Sequence, residues 1–179
     1  NFEKATWRKR PALLCQLLIT YNDGSSQTLI SDGSWTTATG PYTYNNIYSG
    51  DRFDASLDIK GWKSADFDDS NWQKAVVTPA PAPIIEAQTM PAIRINDELK
   101  PVLLKNIDNR IFVFDMGKNI AGLCRLTVKN ADGIKFTLRH GELLKDDGTL
   151  QQGNIDVYYR PEKPGEVFQC DEFTAHGNA

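Results

Sequence analysis

Two histidines, three cysteines and 23 acidic residues are the groups in these 179 residues that could do covalent or acid–base chemistry. Nucleophilic catalysis needs a base beside the nucleophile, usually a histidine. His140 continues the apolar alternation Ile134, Phe136, Leu138 and reads as a packing residue carried on a strand. His176 stands near the C-terminus with no motif around it. Neither G-x-S-x-G nor H-E-x-x-H occurs. Cys15, Cys124 and Cys170 follow no metal spacing and form no C-x-x-C. Their odd number forbids full internal pairing, and their ordinary reading is three thiols packing as small hydrophobes. The glycines of Gly117-Lys118-Asn119-Ile120-Ala121-Gly122 run into Leu123-Cys124 rather than a Lys-Ser/Thr pair, which disfavours a phosphate cradle.

Acids suggest calcium or glycoside chemistry. Asp66-Phe67-Asp68-Asp69-Ser70-Asn71 opens like a calcium loop. Such a loop needs Gly at its sixth position and Glu at its twelfth, and Asn71 and Val77 stand there. The better reading is a turn that caps itself with Asx and Ser side chains before Trp72. Glycoside hydrolysis needs two carboxylates about 5–9.5 Å apart, and nothing in the spacing singles out a pair. Aromatic rings stack on sugars, and Tyr42, Tyr44, Tyr48, Trp35, Trp62 and Trp72 sit near glycines or turns. Their ordinary reading is strand packing.

The elements that must carry these groups are strands. Phe53, Ala55, Leu57 and Ile59 alternate with Asp54, Ser56 and Asp58, a period of two with one apolar face. Gly122, Cys124, Leu126 and Val128 make another such face, and Ile134, Phe136 and Leu138 a third. Asn130-Ala131-Asp132-Gly133 between the last two reads as a turn with Gly133 at positive φ, so 121–141 is expected to be a hairpin. Leu13–Tyr21, the turn 22–26 and Gln27–Ile30 form a second. Phe53, Leu57, Phe136 and Leu138 are expected in the core. Helical signals are confined to short stretches at 65–70 and 96–99. The expected fold is all-β: two jelly-roll-like antiparallel β-sandwich modules packed together, with few short helices. Alternating prolines at Thr78-Pro79-Ala80-Pro81-Ala82-Pro83 favour an extended segment. The division falls near Lys100-Pro101, giving modules at 1–100 and 101–179, the second truncated at its C-terminal end.

Composition limits the function classes. A net charge of −3 leaves no basic footprint for nucleic acid. No apolar run approaches the ~18 residues of a membrane span. The cluster Trp7-Arg8-Lys9-Arg10 is not followed by the apolar stretch of a secretory signal. The expectation is a removed leader or a chain starting inside a longer protein.

Several strings, in order, resemble the bacterial α-L-rhamnosidases. They are Pro11-Ala12-Leu13-Leu14 before Thr20-Tyr21-Asn22-Asp23-Gly24-Ser25, Ser31-Asp32-Gly33-Ser34-Trp35, and Gly50-Asp51-Arg52-Phe53-Asp54-Ala55. Gly61-Trp62 and Phe67-Asp68-Asp69-Ser70-Asn71-Trp72 follow. Phe114-Asp115-Met116-Gly117-Lys118-Asn119-Ile120-Ala121-Gly122 is similar to the family's D-x-G-Q-N-x-A-G-W, and Leu138-Arg139-His140-Gly141-Glu142-Leu143-Leu144 also fits. Asp51, Phe53, Ser56, Lys118 and Leu123 depart from the usual Glu, Tyr, Arg, Gln and Trp.

The resemblance implies a non-catalytic fragment: the tail of the N-terminal accessory module plus most of the β-sandwich module that follows. Its partner would be a downstream helical barrel of the same protein that hydrolyses terminal α-L-rhamnosyl units of glycans. The family's habits imply a periplasmic or extracellular location. They also imply an alternative, a calcium-assisted rhamnose-binding module, whose site here would use Asp51, Asp54 and Trp62, with Asp54 as metal ligand. An unrelated adhesin-like cell-surface sandwich is a further alternative. No catalytic residue is assigned, and no cofactor is required beyond that calcium.

Overall fold

A computed structural model of the chain describes residues 11–80, 82, 84–156 and 168–177. The cluster Trp7–Arg10, and Pro81 and Pro83, lie outside them. The strands run in order β1 (Gln16–Thr20), β2 (Ser26–Ile30), β3 (Thr36–Thr37), β4 (Tyr42–Asn46), β5 (Gly50–Asp54) and β6 (Gln73–Lys74). Then come β7 (Val102–Ile107), β8 (Ile111–Asp115), β9 (Lys135–Arg139), β10 (Leu143–Leu144), β11 (Leu150–Gln151) and β12 (Cys170–Thr174). Among the described residues, helix is confined to one 3-10 turn at Ala55–Leu57 and one α-turn at Gly153–Asp156. The described residues form two compact units, one drawn from 1–39 and 60–91, the other from 40–59 and 92–179.

In the first unit β1 and β2 pair antiparallel from Gln16↔Ile30 to Thr20↔Ser26, the hairpin expected there. Gly24 closes its turn at φ 83°, and Asp23 Oδ1 accepts both the N–H and the hydroxyl of Ser25. β3 pairs with β6 through Thr36↔Lys74 and Thr37↔Gln73. The expected helix at 65–70 is instead a run of turns: the Phe67 N–H donates to Ser64 O, and the Trp72 N–H to Asp69 O. Asp68 Oδ1 takes the Ser70 N–H, a side-chain bond that competes with helix. Residues 75–80 form no strand, and neither do 96–99 form a helix.

The second unit is built on a four-stranded sheet in the order β4-β5-β12-β9. β5 and β12 run parallel and the other two pairs antiparallel. The register sets Tyr42 opposite Phe53, and Phe173 opposite both Phe53 and Phe136. That row is aromatic: Tyr42 meets Phe53 edge-on at 4.9 Å, and Phe53 stacks on Phe173 at 5.5 Å. Beside that row Glu172 lies opposite Arg52 and reaches diagonally to Lys135, 3.5 Å from Arg52 Nε and 2.7 Å from Lys135 Nζ. Period two thus gives the sheet one apolar and one polar face. β7 and β8 form a separate hairpin, turned by Asp108 and Asn109 at φ 54° and 52°, with no glycine to mark the turn in the sequence.

Three strand expectations change. Residues 55–57 leave the strand because Asp54 caps a 3-10 turn, its Oδ1 accepting both the N–H and the hydroxyl of Ser56. Residues 122–128 form no strand. The 130–133 turn exists, with Gly133 at φ 71°, but β9 takes β12 as its partner instead. The Gly133 N–H donates to Ala175 O and the Ala175 N–H to Ile134 O, extending that ladder. The expected core is also thinner: Phe53, Phe136 and Leu138 are half-buried and Leu57 is exposed. Among the described apolar residues only Ala131 and Ala175 are buried.

Candidate functional site

Asp51 and Asp54 sit on β5, in the second unit. Asp51 lies across from Asn45, whose amide donates to its carboxylate, and its own N–H donates to Asp171 Oδ1 at 2.9 Å. Asp54 ends the strand as the cap of the following turn. Its carboxyl is held below the ordinary value of 3.8, first by the Ser56 hydroxyl and then by the Ser56 N–H. Trp62 belongs to the first unit, half-exposed in a turn with Lys63 Nζ 5.2 Å from its ring centre. The three candidates are therefore divided between the two units.

Calcium takes roughly 6–8 oxygens. One oxygen of Asp54 already accepts two hydrogen bonds. Among the described residues no group of three or more His, Cys, Asp or Glu gathers that could hold a metal ion.

A concavity of about 450 Å³ lies in the first unit, lined by Ser34, Trp35, Thr36, Asp69 and Lys74. The β3–β6 pairing builds it, because Thr36↔Lys74 brings Lys74 beside the Trp35 segment. Lys74 Nζ donates to Ser34 O at 3.0 Å, and the Thr36 hydroxyl donates to Asp69. A partly exposed indole flanked by an acid, an amine and hydroxyls suits a sugar ring, whose C–H face stacks while its hydroxyls bond. Trp35 was visible as an aromatic candidate. Asp69 and Lys74 were not, since only a long-range strand pair joins residues 36 and 74.

Acid–base chemistry has a distinct signature here. Asp23, Asp32, Asp54, Asp68 and Asp147 all have their carboxyls pulled below the ordinary value. In each the cause is the Ser or Thr two residues on, donating through hydroxyl or backbone N–H to the carboxylate. A glycosidase acid must instead hold its proton near neutrality, which takes an upward shift. His140, expected as a packing residue, is more than a third exposed and 3.1 Å from Asp171. It stands one residue past the end of β9, where the apolar alternation has run out. His176 pairs with Asp132 at 3.3 Å.

Comparison with known proteins adds the evolutionary context. Residues 1–97 match the family described as the α-L-rhamnosidase N-terminal domain. Residues 105–178 match the bacterial α-L-rhamnosidase concanavalin-like domain. An α-L-rhamnosidase of Streptomyces avermitilis is 34% identical over 177 residues, covering 94% of this chain. The chain spans 17% of that relative's length. The structure of a Streptomyces avermitilis α-L-rhamnosidase complexed with L-rhamnose superposes with a TM-score of 0.81 at 32% identity, covering 92% of this chain and 15% of that one. That of an α-L-rhamnosidase from Dictyoglumus thermophilum superposes at 0.79, with 32% identity over 92% of this chain and 18% of the other.

Proposed function

Because the chain belongs to the α-L-rhamnosidase N-terminal domain family, we propose that it is a non-catalytic β accessory part of an α-L-rhamnosidase, supporting a catalytic barrel in the same polypeptide. The parent would release terminal α-L-rhamnose from glycans in the periplasm or outside the cell. The observation that carries this reading is the apolar surface. Val102, Leu103, Leu104, Ile111, Phe112 and Phe114 of the β7–β8 hairpin are all about half-exposed. A lone two-stranded hairpin is marginal in water, so it needs a cover, and relatives several times longer supply candidates for one. The test is to express the reading frame beyond Ala179 separately and mix it with this chain. Association with a raised melting temperature is expected. Replacing Phe112 and Phe114 by Asp should prevent it, and failure of the unaltered pieces to associate contradicts the reading.

The Trp35 groove favours a second role, contact with a rhamnose-containing glycan. The Streptomyces avermitilis relative complexed with L-rhamnose supports that ligand class. Titration with L-rhamnose should give weak, about millimolar binding, lost in Trp35→Ala and unchanged by a chelator. Loss in Asp54→Ala or Trp62→Ala with Trp35→Ala intact would move the site to β5 or to the Trp62 turn.

A further inference from the structure

Cys124, His140 and Asp171 form a line of contacts in the second unit that neither proposed role uses. The His140 ring presents Nε2 to Asp171 Oδ2 at 3.1 Å and Nδ1 to Cys124 Sγ at 4.0 Å. Asp171 is fixed from its other side, where Oδ1 accepts the Asp51 N–H at 2.9 Å. His140 is held through its backbone as well: its N–H donates to Gln169 O, and its carbonyl accepts from the buried Gln152 amide at 2.5 Å. With Nε2–H donating to the carboxylate, Nδ1 turns its lone pair toward the thiol, an assignment made from the bonding partners. Nucleophile, base and orienting acid in that sequence are the arrangement that activates a thiol, and such contacts are often long in a site without its ligand. Cys124 is exposed, whereas Cys15 and Cys170 are half-buried.

We propose that Cys124 is a modification site for low-molecular-weight disulfides, with His140 as its base and Asp171 as a positioning residue. Sγ attacks one sulfur of R–S–S–R while its proton passes to His140 Nδ1. The new S–S bond to Cys124 forms as the old one breaks, and the electron pair leaves with RS⁻, which takes the proton back from His140. The products are the Cys124 mixed disulfide and one RSH, so no further oxidant enters. Burial pushes the Cys170 thiol up, which makes it the slow comparator.

The test uses the full chain and oxidised glutathione at pH 7.5, with the rate at each cysteine resolved by mass spectrometry. Each native rate is divided by the rate of the same cysteine in the urea-unfolded chain. Exposure alone cannot bring this ratio above one. The expected ratio at Cys124 is about tenfold, a modest share of the ~10²–10⁴ that positioned bases supply, with Cys15 and Cys170 at or below one. His140→Gln should return Cys124 to one or less without moving Cys15, and Asp171→Asn should lower it in the same direction. A wild-type ratio at or below one overturns the proposal and needs no variant. Acceleration retained in folded His140→Gln overturns it too.

Discussion

At the scale of residues, one device recurs. An Asp accepts both the N–H and the hydroxyl of a Ser or Thr two positions on, as at Asp23, Asp32, Asp54 and Asp147. These bonds favour the charged carboxylate, so the folded pKa falls below the unfolded one. Whatever stability the turns contribute is complete above the ordinary value of 3.8. It is lost as pH falls through the lowered folded value. A carbon-detected NMR titration of Asp54 should therefore give a midpoint below 3.8, returning toward it in Ser56→Ala. A midpoint unmoved by that substitution would contradict the assignment. The spacing Asp-x-Ser/Thr was legible as a self-capping turn at 68–70, and the same pattern was there to be read at Asp54. The alternation of Phe53, Ala55 and Leu57 satisfies period two equally well and points to strand. Local side-chain bonding won over periodicity. The site residues were harder to see, since Trp35 joins Lys74 and Asp69 only through a strand pair about 38 residues distant in sequence.

Strands in this chain are chosen by their partners as much as by their own sequence. The 130–133 turn and β9 were legible from Gly133 and the alternation after it. That β9 pairs with Cys170–Thr174 rather than with 122–128 was not, because 122–128 carries the apolar alternation and Cys-Asp-Glu-Phe-Thr does not. Gly133 sits at φ 71° with open space around it, so Gly133→Val should cost at least ~1 kcal/mol from backbone strain alone. Gly50 is more demanding. At φ 99°, an added Cβ would lie 2.5 Å from Asp171 Oδ1 and 2.6 Å from Cys170 O. The parallel β5–β12 pair needs that close approach, so Gly50→Ala should cost about 2 kcal/mol or more. Chemical denaturation of the two variants checks both, and a Gly50→Ala midpoint equal to wild type would remove β5 from the sheet. Phe53, stacked on Phe173 but only half-buried, should lose about 2 kcal/mol on truncation to Ala. The ~3–5 kcal/mol of a closed core would imply a cover over the aromatic row.

For the whole molecule, the all-β class was legible from composition and turn spacing, while the amount of apolar surface left open was not. Sequence pattern marks which face of a strand is apolar but not what covers it. The chain spans 17% of the length of its Streptomyces avermitilis relative, and the cover proposed for these faces is the remainder of such a protein. The carboxyls of Asp23, Asp32, Asp54, Asp68 and Asp147 all move toward ionisation and away from proton donation, in keeping with the proposed accessory role. The most direct measurement is release of 4-nitrophenol from 4-nitrophenyl α-L-rhamnoside by the purified chain. The account predicts a rate equal to the buffer blank. Turnover above it that disappears on replacing a single carboxylate within residues 1–179 would contradict it.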